Sequence, residues 1–330
     1  MFVKNQFKRI ALLTSGGDAP GMNAAIRSVV RTCVFHKIVP IGIYKGYDGL
    51  ISAKMTEMNA RSVKGIINKG GTILKTARSE GFKSKDGRKK AFKTLQKNRI
   101  DGLIVIGGDG TFTGGLIFNE EFDFPVIGIP ATIDNDIFGT SHTIGFDSAT
   151  NTVVEAIDKI RDTASSHNRL FFIEVMGRDA GHIALNTGVA AGAEEILIPE
   201  ENLGLDRLIQ SLKRSQKTGK SSSIVVVAEG DKTGENVFQL KDYIEKHLPE
   251  YDARVAVLGH MQRGGSPTCF DRVLASRLGV KSIESMLDGK NSSMVGLQNN
   301  NVTLTPFKKA IKGITKINTE LLKISDIMSI

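Results

Sequence analysis

Carboxylates follow apolar stretches at two points of this chain. Asp109 lies within Gly107–Thr111, where a hard oxygen ligand at a phosphate-sized turn can hold Mg²⁺ directly or through water. Asp134 and Asp136 follow Pro130 and are two residues apart. Transfer of a phosphoryl group to an alcohol needs a base that accepts the hydroxyl proton. The remaining catalysis comes from positioning the reactants and neutralising the charge on the phosphoryl group. We predict that Asp134 is this base and that Asp136 tunes it or helps to organise Mg²⁺; a simple Asx turn is the alternative.

Basic side chains also stand beside glycines. Arg178 ends the run Glu174–Arg178, and at the end of a strand such a side chain can stabilise a transferring phosphoryl group. His260 and Arg263 flank a glycine-rich turn and together suit a dianionic phosphate, because a guanidinium fork and an imidazole N–H can both donate to it. A surface ion pair is the ordinary alternative for an arginine.

The run Thr14–Asn23 joins an apolar stretch to a helical one and contains three glycines. Glycines let a backbone approach a phosphate closely, and a helix N-terminus offers unpaired N–H donors and the positive end of a dipole. The run lacks the Walker pattern, and a plain turn is the alternative. Motifs similar to Gly107–Thr111 also occur in other classes of kinase. Together, the two motifs predict a site for nucleotide phosphates but do not identify the acceptor of the phosphoryl group.

The elements that must position these residues follow from the apolar pattern. Nearly continuous apolar runs predict strands covered on both faces, at Ile10–Thr14, Val39–Tyr44, Gly102–Ile106, Val126–Pro130, Leu170–Val175, Glu195–Pro199, Ile224–Ala228 and Val255–Leu258. Amphipathic stretches predict helices after Pro20, from Ser148, over Leu205–Leu212 and over Asp271–Leu287. This alternation predicts an α/β fold of doubly wound, mostly parallel sheets, whose ligands bind beyond the carboxyl ends of the strands.

The 330 residues suffice for two domains or one large α/β unit, and the net charge is +9. Because the lysines are scattered, Trp is absent and aromatic residues make up only 6%, we expect no nucleic-acid partner. No apolar run is as long as a membrane span, and the N-terminus lacks a signal-peptide pattern. Cys33 and Cys269 match no metal or disulfide pattern, so we expect reduced thiols in a cytoplasmic protein without a membrane partner.

In their order along the chain, these strings resemble the ATP-dependent 6-phosphofructokinases of bacteria. The match runs from about Ile10 to about Gln298 and comprises residues 14–23, 70–72, 107–111, 132–136, 175–178 and 258–267. The resemblance implies two Rossmann-like, three-layer α/β/α domains: 1–145 plus 262–312 for ATP, and 146–261 plus 313–330 for the sugar phosphate. It also implies phosphorylation of fructose 6-phosphate on its 1-hydroxyl with Mg-ATP, in glycolysis, by a homotetramer with shared active sites.

The resemblance further assigns residues to each ligand. The Mg-ATP site would be lined by Gly17, Tyr47, Arg78, Phe82, Lys83, Arg88, Gly108, Asp109, Gly110 and Thr111, with Asp109 as the metal ligand. Sugar-phosphate binding or catalysis would fall to Thr132, Asp134, Asp136, Met176, Gly177, Arg178, Glu229, His260 and Arg263. Among these, the catalytic set would be Asp134, Arg178, Thr132 and Asp136. Arg169 and Arg254 would reach the 6-phosphate bound by a neighbouring subunit. Lys83 stands where the family usually has Arg.

Two positions bear on the phosphoryl donor. Pyrophosphate-using relatives tend to carry Asp where this chain has Gly110, and Lys where it has Ala131. An Asp at position 110 would crowd and repel the α-phosphate of ATP, so both residues favour ATP. The alternatives are a pyrophosphate-dependent enzyme, another sugar-phosphate acceptor, or a non-catalytic sensor of nucleotide or sugar phosphate on the same fold.

Bacterial relatives bind ADP or phosphoenolpyruvate between subunits. Parts of that effector site are matched by Arg27, Arg31, Arg161, Glu194 and Lys220. Ala60 stands where Arg is expected, although Arg61 is adjacent, and Thr218 and Ser222 stand where relatives often have Lys and His. Fewer cationic donors should weaken anion binding, so we expect weakened or altered effector control.

Overall fold

The computed structural model describes residues 7–166, 169–201, 204–217 and 223–328. In chain order its strands are β1 (Arg9–Thr14), β2 (Val39–Ile43), β3 (Met55–Glu57), β4 (Gly102–Gly107), β5 (Val126–Pro130), β6 (Arg169–Val175), β7 (Glu195–Leu197), β8 (Ser223–Ala228), β9 (Asp252–Val257), β10 (Ser293–Gln298) and β11 (Asn301–Pro306). Its helices are α1 (Met22–Phe35), α2 (Gly46–Ile51), α3 (Glu80–Lys83), α4 (Lys85–Lys97), α5 (Asp109–Phe122), α6 (Phe146–Ser165), α7 (His182–Ala191), α8 (Gly204–Lys217), α9 (Val237–His247), α10 (Cys269–Leu287), α11 (Phe307–Lys312) and α12 (Thr319–Met328). A short 3₁₀ helix covers Gly259–Arg263.

The chain divides into two compact units, and the first is discontinuous. It comprises the residues up to Thr132, then Ile137–Asp147 and Arg263–Thr315. The second unit comprises Ile133–Asp136, Ser148–Gln262 and the residues from Lys316 onward.

The first unit contains a seven-stranded sheet in the order β11-β10-β5-β4-β1-β2-β3. The central pairs are parallel, while β2 with β3 and β10 with β11 are antiparallel pairs at the two edges. Every residue of β4 is buried, as expected for a strand with helices on both faces of its sheet. Helices α1 and α10 pack against each other, and a β-carbon at Gly279 would lie 2.5 Å from the side chain of Ser28.

The second unit contains a four-stranded parallel sheet in the order β7-β8-β6-β9. All six residues of β8 are buried. Apolar residues of α8 and α9, among them Leu208, Leu212 and Leu240, share one core cluster with strand residues Phe172 and Val225. Since all four strands are parallel, the loops after β6, β8 and β9 leave the sheet at one edge.

The predicted α/β class with mostly parallel sheets is confirmed. The eight predicted strands are present, with shifted bounds at β7, which ends at Leu197, and β9, which begins at Asp252. The sequence did not predict the edge strands β3 and β11, nor β10, which lies between β11 and β5. No helix within the described ranges is long and apolar enough to cross a lipid bilayer.

Candidate active site

β1 and β4 are parallel neighbours in the first sheet, and the chain continues from β1 to β2 on one side and from β4 to β5 on the other. Loops that leave such neighbours at their carboxyl ends form the usual ligand crevice of α/β sheets. Ser15 N donates to Ile106 O (3.0 Å), and Thr111 Oγ1 donates to Ser15 O (3.2 Å). A β-carbon at Gly107 would lie 2.4 Å from Ser15 O, so only glycine lets these two loops pack backbone against backbone.

Asp109 is the exposed first residue of α5, at a helix N-terminus that favours anions. Within residues 7–166, 169–201, 204–217 and 223–328, no cluster of three or more His, Cys, Asp or Glu side chains could hold a metal ion. Mg²⁺ typically uses one or two carboxylates together with substrate phosphates and water. Asp109 therefore fits an ion shared with a bound nucleotide and not an all-protein metal site.

Gly108 and Gly110 flank this carboxylate. Gly110 is exposed, and a β-carbon built on it would meet no heavy atom within 4 Å. The protein itself therefore leaves room at this position, and any restriction on a side chain here comes from a ligand.

Tyr47 and Phe82 are buried, each with only 4% of its surface exposed. Their rings stack with centroids 4.0 Å apart and planes 15° apart, and Tyr47 Oη donates to Thr111 O (2.7 Å). Burial raises the pKa of Tyr47 far above its ordinary value, so its hydroxyl stays a neutral donor. The two rings thus support the turn around Thr111 from within the core.

Arg88 is also buried, with 8% exposure, and its guanidinium is used within the protein. Nε and Nη2 donate to the two carboxylate oxygens of Glu121, each at 2.7 Å. Nη1 donates to Phe82 O (3.0 Å) and to Lys83 O (2.6 Å). The hydrogen bond between the two side chains is the main reason that the pKa of Arg88 is raised and the pKa of Glu121 is lowered.

Arg78 and Lys83 are exposed at the two ends of the segment that leads into α4. Lys83 Nζ lies 2.8 Å from Glu80 Oε1, and both side chains are more than two-thirds exposed, so their pairing adds little stability. Between them, Ser79 caps α3 by accepting from Phe82 N (3.2 Å) and also hydrogen-bonds Asp48 of α2. These contacts fix the backbone from which the two cations extend.

Arg263 lies against the first glycine-rich loop. Its Nη1 donates to Asp18 O (3.1 Å), and a β-carbon at Gly17 would lie 2.7 Å from the same nitrogen. Gly17 is exposed, so the missing side chain leaves its space to the guanidinium. Position 17 therefore controls where Arg263 lies.

Asn23, in the first turn of α1, holds the loop that contains Gly70–Thr72. Its Nδ2 donates to Lys69 O (3.1 Å) and Gly70 O (3.0 Å), while its Oδ1 accepts from Ile73 N (2.8 Å). With a relative exposure of 2%, this amide links two motif segments that are far apart in sequence.

In the second unit, the side chain of Glu229, which follows β8, accepts hydrogen bonds from the backbone of the loop after β6. Its Oε1 accepts from Gly177 N (3.2 Å) and Arg178 N (2.7 Å). Arg178 is exposed and has φ 56°, a left-handed conformation that costs energy in a non-glycine residue. Burial, and then the charge of Glu229, raise the pKa of Glu174.

Gln262 joins this loop to the 3₁₀ helix that carries His260. The side chain of Gln262 is fully buried; its Oε1 accepts from Met176 N (3.2 Å), and its Nε2 donates to Gly259 O (3.0 Å). His260 itself is exposed. The imidazole is therefore presented on a backbone fixed to the Arg178 loop.

Arg169 and Arg254 share one carboxylate. Arg169 Nε donates to Asp252 Oδ2 (2.9 Å), and Arg254 Nη2 lies 2.8 Å from Asp252 Oδ1. The parallel register of β6 and β9 places Arg169 opposite Asp252. Asp252 thus holds two arginines together at the start of these strands.

The loop after β5 carries the proposed base. Thr132 and Asp134 are buried, with 9% and 3% exposure, whereas Asp136 is partly exposed. Thr143 Oγ1 donates to Thr132 O (2.6 Å), and Ala131 N donates to Gly107 O (3.0 Å). These bonds hold Ala131 and Thr132 beside Gly107, which lies two residues before Asp109.

The phosphofructokinase family model matches residues 9–286. The chain belongs to the phosphofructokinase family. It is 53% identical to ATP-dependent 6-phosphofructokinase 1 of Thermus thermophilus over 323 residues, covering 98% of this chain and 100% of the relative. It is 48% identical to ATP-dependent 6-phosphofructokinase 2 of Bacteroides thetaiotaomicron, covering 98% and 99%.

Solved phosphofructokinases share the fold. The structure of the Saccharomyces cerevisiae enzyme has a TM-score of 0.87 and 34% identity; the match covers 98% of this chain and 48% of the yeast chain, so this chain spans about half of it. A pyrophosphate-dependent phosphofructokinase from Marinobacter aquaeolei has a TM-score of 0.85 at 20% identity, covering 95% and 86%. At that identity the likeness concerns the fold alone.

Two of the residues matched to the family's effector site, Arg161 and Glu194, have hydrogen-bond partners within the protein. Arg161 Nη2 donates to Ala191 O and Gly192 O at the end of α7. Glu194 is buried with 4% exposure and accepts from Ile224 N. Arg27 and Arg31 lie one turn apart on α1; burial and then the Arg31 charge lower the pKa of Arg27. Lys220, Thr218 and Ser222 lie outside the described residues.

Among the polar residues that organise the site, Asn23, Glu121 and Gln262 were missed by the sequence interpretation. Asn23 and Gln262 lie inside recognised motifs, so their motif positions were a usable signal. Glu121 lies at the end of a helix with no motif of its own, and its partner Arg88 is 33 residues away. Only the tertiary structure reveals that pair.

Proposed function

We propose that this chain transfers the terminal phosphoryl group of Mg-ATP to the 1-hydroxyl of fructose 6-phosphate, giving fructose 1,6-bisphosphate and ADP in glycolysis. The observation that carries the proposal is full-length similarity at 53% identity to a Thermus thermophilus protein named ATP-dependent 6-phosphofructokinase 1. The motif residues that this chemistry needs are all present.

In this proposal Asp134 accepts the proton of the 1-hydroxyl as its oxygen attacks. Asp136 tunes this base or helps to organise Mg²⁺, and Thr132 belongs to the same catalytic set. Burial of Asp134 at 3% exposure excludes most bulk water from its surroundings. Arg178 stabilises the charge that develops on the transferring group. A Mg²⁺ ion held by Asp109 and the nucleotide phosphates would neutralise charge on the donor.

The first unit would bind the nucleotide through Gly17, Gly108, Gly110, Thr111, Arg78 and Lys83, with Tyr47, Phe82 and Arg88 at the same site. The second unit would bind the sugar through Met176, Gly177, Glu229 and His260, with Arg263 assigned to the same ligand. Arg169 and Arg254 would serve the 6-phosphate of a neighbouring subunit, which requires an assembly such as a homotetramer. The free thiols of Cys33 and Cys269 suit a reducing, cytoplasmic setting.

A pyrophosphate donor is the second candidate, and two residues argue against it. Gly110 leaves open space where an Asp would repel a nucleotide phosphate. Position 131 is a buried alanine, so the side chain that would supply positive charge to pyrophosphate is missing there. For effectors, the missing cation at Ala60 supports weakened or altered control by ADP or phosphoenolpyruvate.

Initial rates against fructose 6-phosphate, measured with ATP and with pyrophosphate, test the proposal. We expect turnover with Mg-ATP, loss of turnover with EDTA, and little turnover with pyrophosphate. Sharp inhibition by phosphoenolpyruvate would contradict weakened effector control. Nucleotide or sugar-phosphate binding without any turnover would instead favour the sensor.

A further inference from the structure

The surroundings of Arg88 differ from those of a side chain that meets a ligand. Four donor contacts from its guanidinium go to protein atoms: two to Glu121 and one each to Phe82 O and Lys83 O. The Arg88 side chain is 10% exposed and that of Glu121 is 22% exposed. A guanidinium has five N–H donors in a fixed fork, so little capacity remains for a nucleotide.

The same contacts fix the segment that precedes α4. Nη1 bonds the carbonyls of Phe82 and Lys83, so the backbone of this turn is fixed relative to Glu121 at the end of α5. A β-carbon at Gly87 would lie 2.0 Å from Gly81 O, so glycine is needed for α4 to approach α3 this closely. The pair therefore sets the position of the whole turn.

From this turn the contacts lead back to the other end of α5. The Phe82 ring stacks on Tyr47, whose hydroxyl bonds Thr111 O in the first turn of α5. A β-carbon at Gly114 would lie 3.0 Å from the Tyr47 ring, so the ring rests directly on the helix. The contacts form a closed circuit that begins at Glu121 and ends at Thr111, both on α5.

We propose that Arg88 and Glu121 form a positioning pair for the nucleotide, which acts through Phe82 and Tyr47 on the turn that carries Asp109, without touching the nucleotide itself. This inference rests on the proposed function, because it assumes that the Asp109 turn binds Mg-ATP. It assigns a role to Glu121, and it makes Arg88 a residue that acts through its neighbours.

The two possible roles of Arg88 predict different behaviour of Glu121→Gln. If the pair positions the nucleotide site, Glu121→Gln and Arg88→Ala should each raise KM for Mg-ATP by about tenfold, as misplaced positioning groups do. kcat and KM for fructose 6-phosphate should change less than about twofold, and the double variant should be no worse than the worse single variant. If Arg88 bound the nucleotide, Glu121→Gln would leave KM for Mg-ATP unchanged or lower it.

Two further variants sharpen the test. Glu120→Gln is the matched control, because Glu120 is the adjacent residue on α5 and pairs with the exposed Lys308 (2.8 Å). This variant should leave KM for Mg-ATP unchanged. Arg88→Lys keeps the charge but loses the fork, so it should not restore affinity. Full recovery in Arg88→Lys would indicate a charge contact with the nucleotide and overturn the proposal.

Titration calorimetry with the Mg²⁺ complex of a non-hydrolysable ATP analogue gives the same comparison without turnover. A wild-type protein that binds this analogue but does not phosphorylate fructose 6-phosphate would refute the proposed function and leave the pair testable. A lower melting temperature in Glu121→Gln with unchanged analogue affinity would mean that the pair only stabilises the fold, and would overturn the inference. Glu121→Gln preserves side-chain shape and decides the matter even if Arg88→Ala does not fold.

Discussion

The β-carbon of an alanine at position 17 would lie 2.7 Å from Arg263 Nη1. That nitrogen is the end of a flexible side chain, so the fold can accommodate Gly17→Ala by moving the guanidinium. Arg263 would then leave its contact with Asp18 O. Gly17→Ala would therefore displace Arg263, a candidate phosphate-binding residue, without deleting its side chain.

We expect Gly17→Ala to raise KM for fructose 6-phosphate by about tenfold, the ratio that ~1.4 kcal/mol represents, with almost no change in melting temperature. Steady-state kinetics at saturating Mg-ATP measure this. In an Arg263→Ala background the same substitution should add nothing. Equal effects of Gly17→Ala in both backgrounds would show that it does not act through Arg263.

Asp134 is the proposed general base of the transfer step. Asp134→Asn should lower kcat by about 10²- to 10⁴-fold, the usual contribution of a general base, because no carboxylate remains to accept the hydroxyl proton. Affinity for a Mg-bound ATP analogue should stay unchanged. Asp123→Asn is the control, since Asp123 is exposed and its left-handed conformation suits Asn. Near-normal turnover in Asp134→Asn would remove Asp134 as the base.

At the scale of elements, α5 joins three features: Asp109 at its first residue, Gly110 beside it and Glu121 in its last turn. Sequence reasoning identified the motif at its start but not the helix, because Gly114 and Gly115 lower helix propensity in its interior. The helix is nonetheless stabilised by packing, since Phe112 and Phe118 are completely buried.

Gly110→Asp should weaken Mg-ATP binding about 10- to 100-fold through repulsion of the phosphates, while the melting temperature stays close to that of the wild type. The open space around Gly110 is the reason to expect a stable fold. Gly110→Asn, of equal size but without charge, should lose much less affinity. KM for Mg-ATP and thermal unfolding of both variants decide the point; equal losses would indicate crowding and not charge.

Strands with unbroken apolar runs, such as β4, were predictable because the pattern itself identifies a buried parallel strand. β3 has only three residues and two of them are exposed, so it carries no such pattern. The residues of the candidate site likewise differ in whether the sequence predicts them. Local motifs revealed Asp109 and Asp134, whereas the Arg88–Glu121 pair and the shared carboxylate of Asp252 depend on contacts between distant segments.

At the scale of the whole molecule, the response of stability to pH depends on groups such as Glu174. Burial and Glu229 raise its pKa above the ordinary 4.5. A carboxyl group whose pKa rises on folding destabilises the folded state when ionised. This cost is fully present above the raised pKa and disappears as the pH falls to the unfolded value.

Glu174→Gln should therefore raise the melting temperature at pH 7.5 by about 2 °C, and the difference from wild type should shrink toward pH 4. Thermal unfolding at a series of pH values measures both effects. Glu235→Gln, at an exposed position in the second unit, serves as the control. A constant difference at every pH would mean that the charge of Glu174 is not the cause.

The hydrogen bond from Ser28 Oγ to Ser276 O (2.7 Å) joins α1 to α10 across 248 residues of chain. A ribosome adding roughly 5–20 residues per second needs about 12–50 s to synthesise that interval. During this time the apolar face of α1 emerges without its eventual covering, and β5 lacks its neighbour β10. The inserted segment Ser148–Gln262 is complete earlier, so the part of the nascent polypeptide made first is the part that must wait longest for its partners.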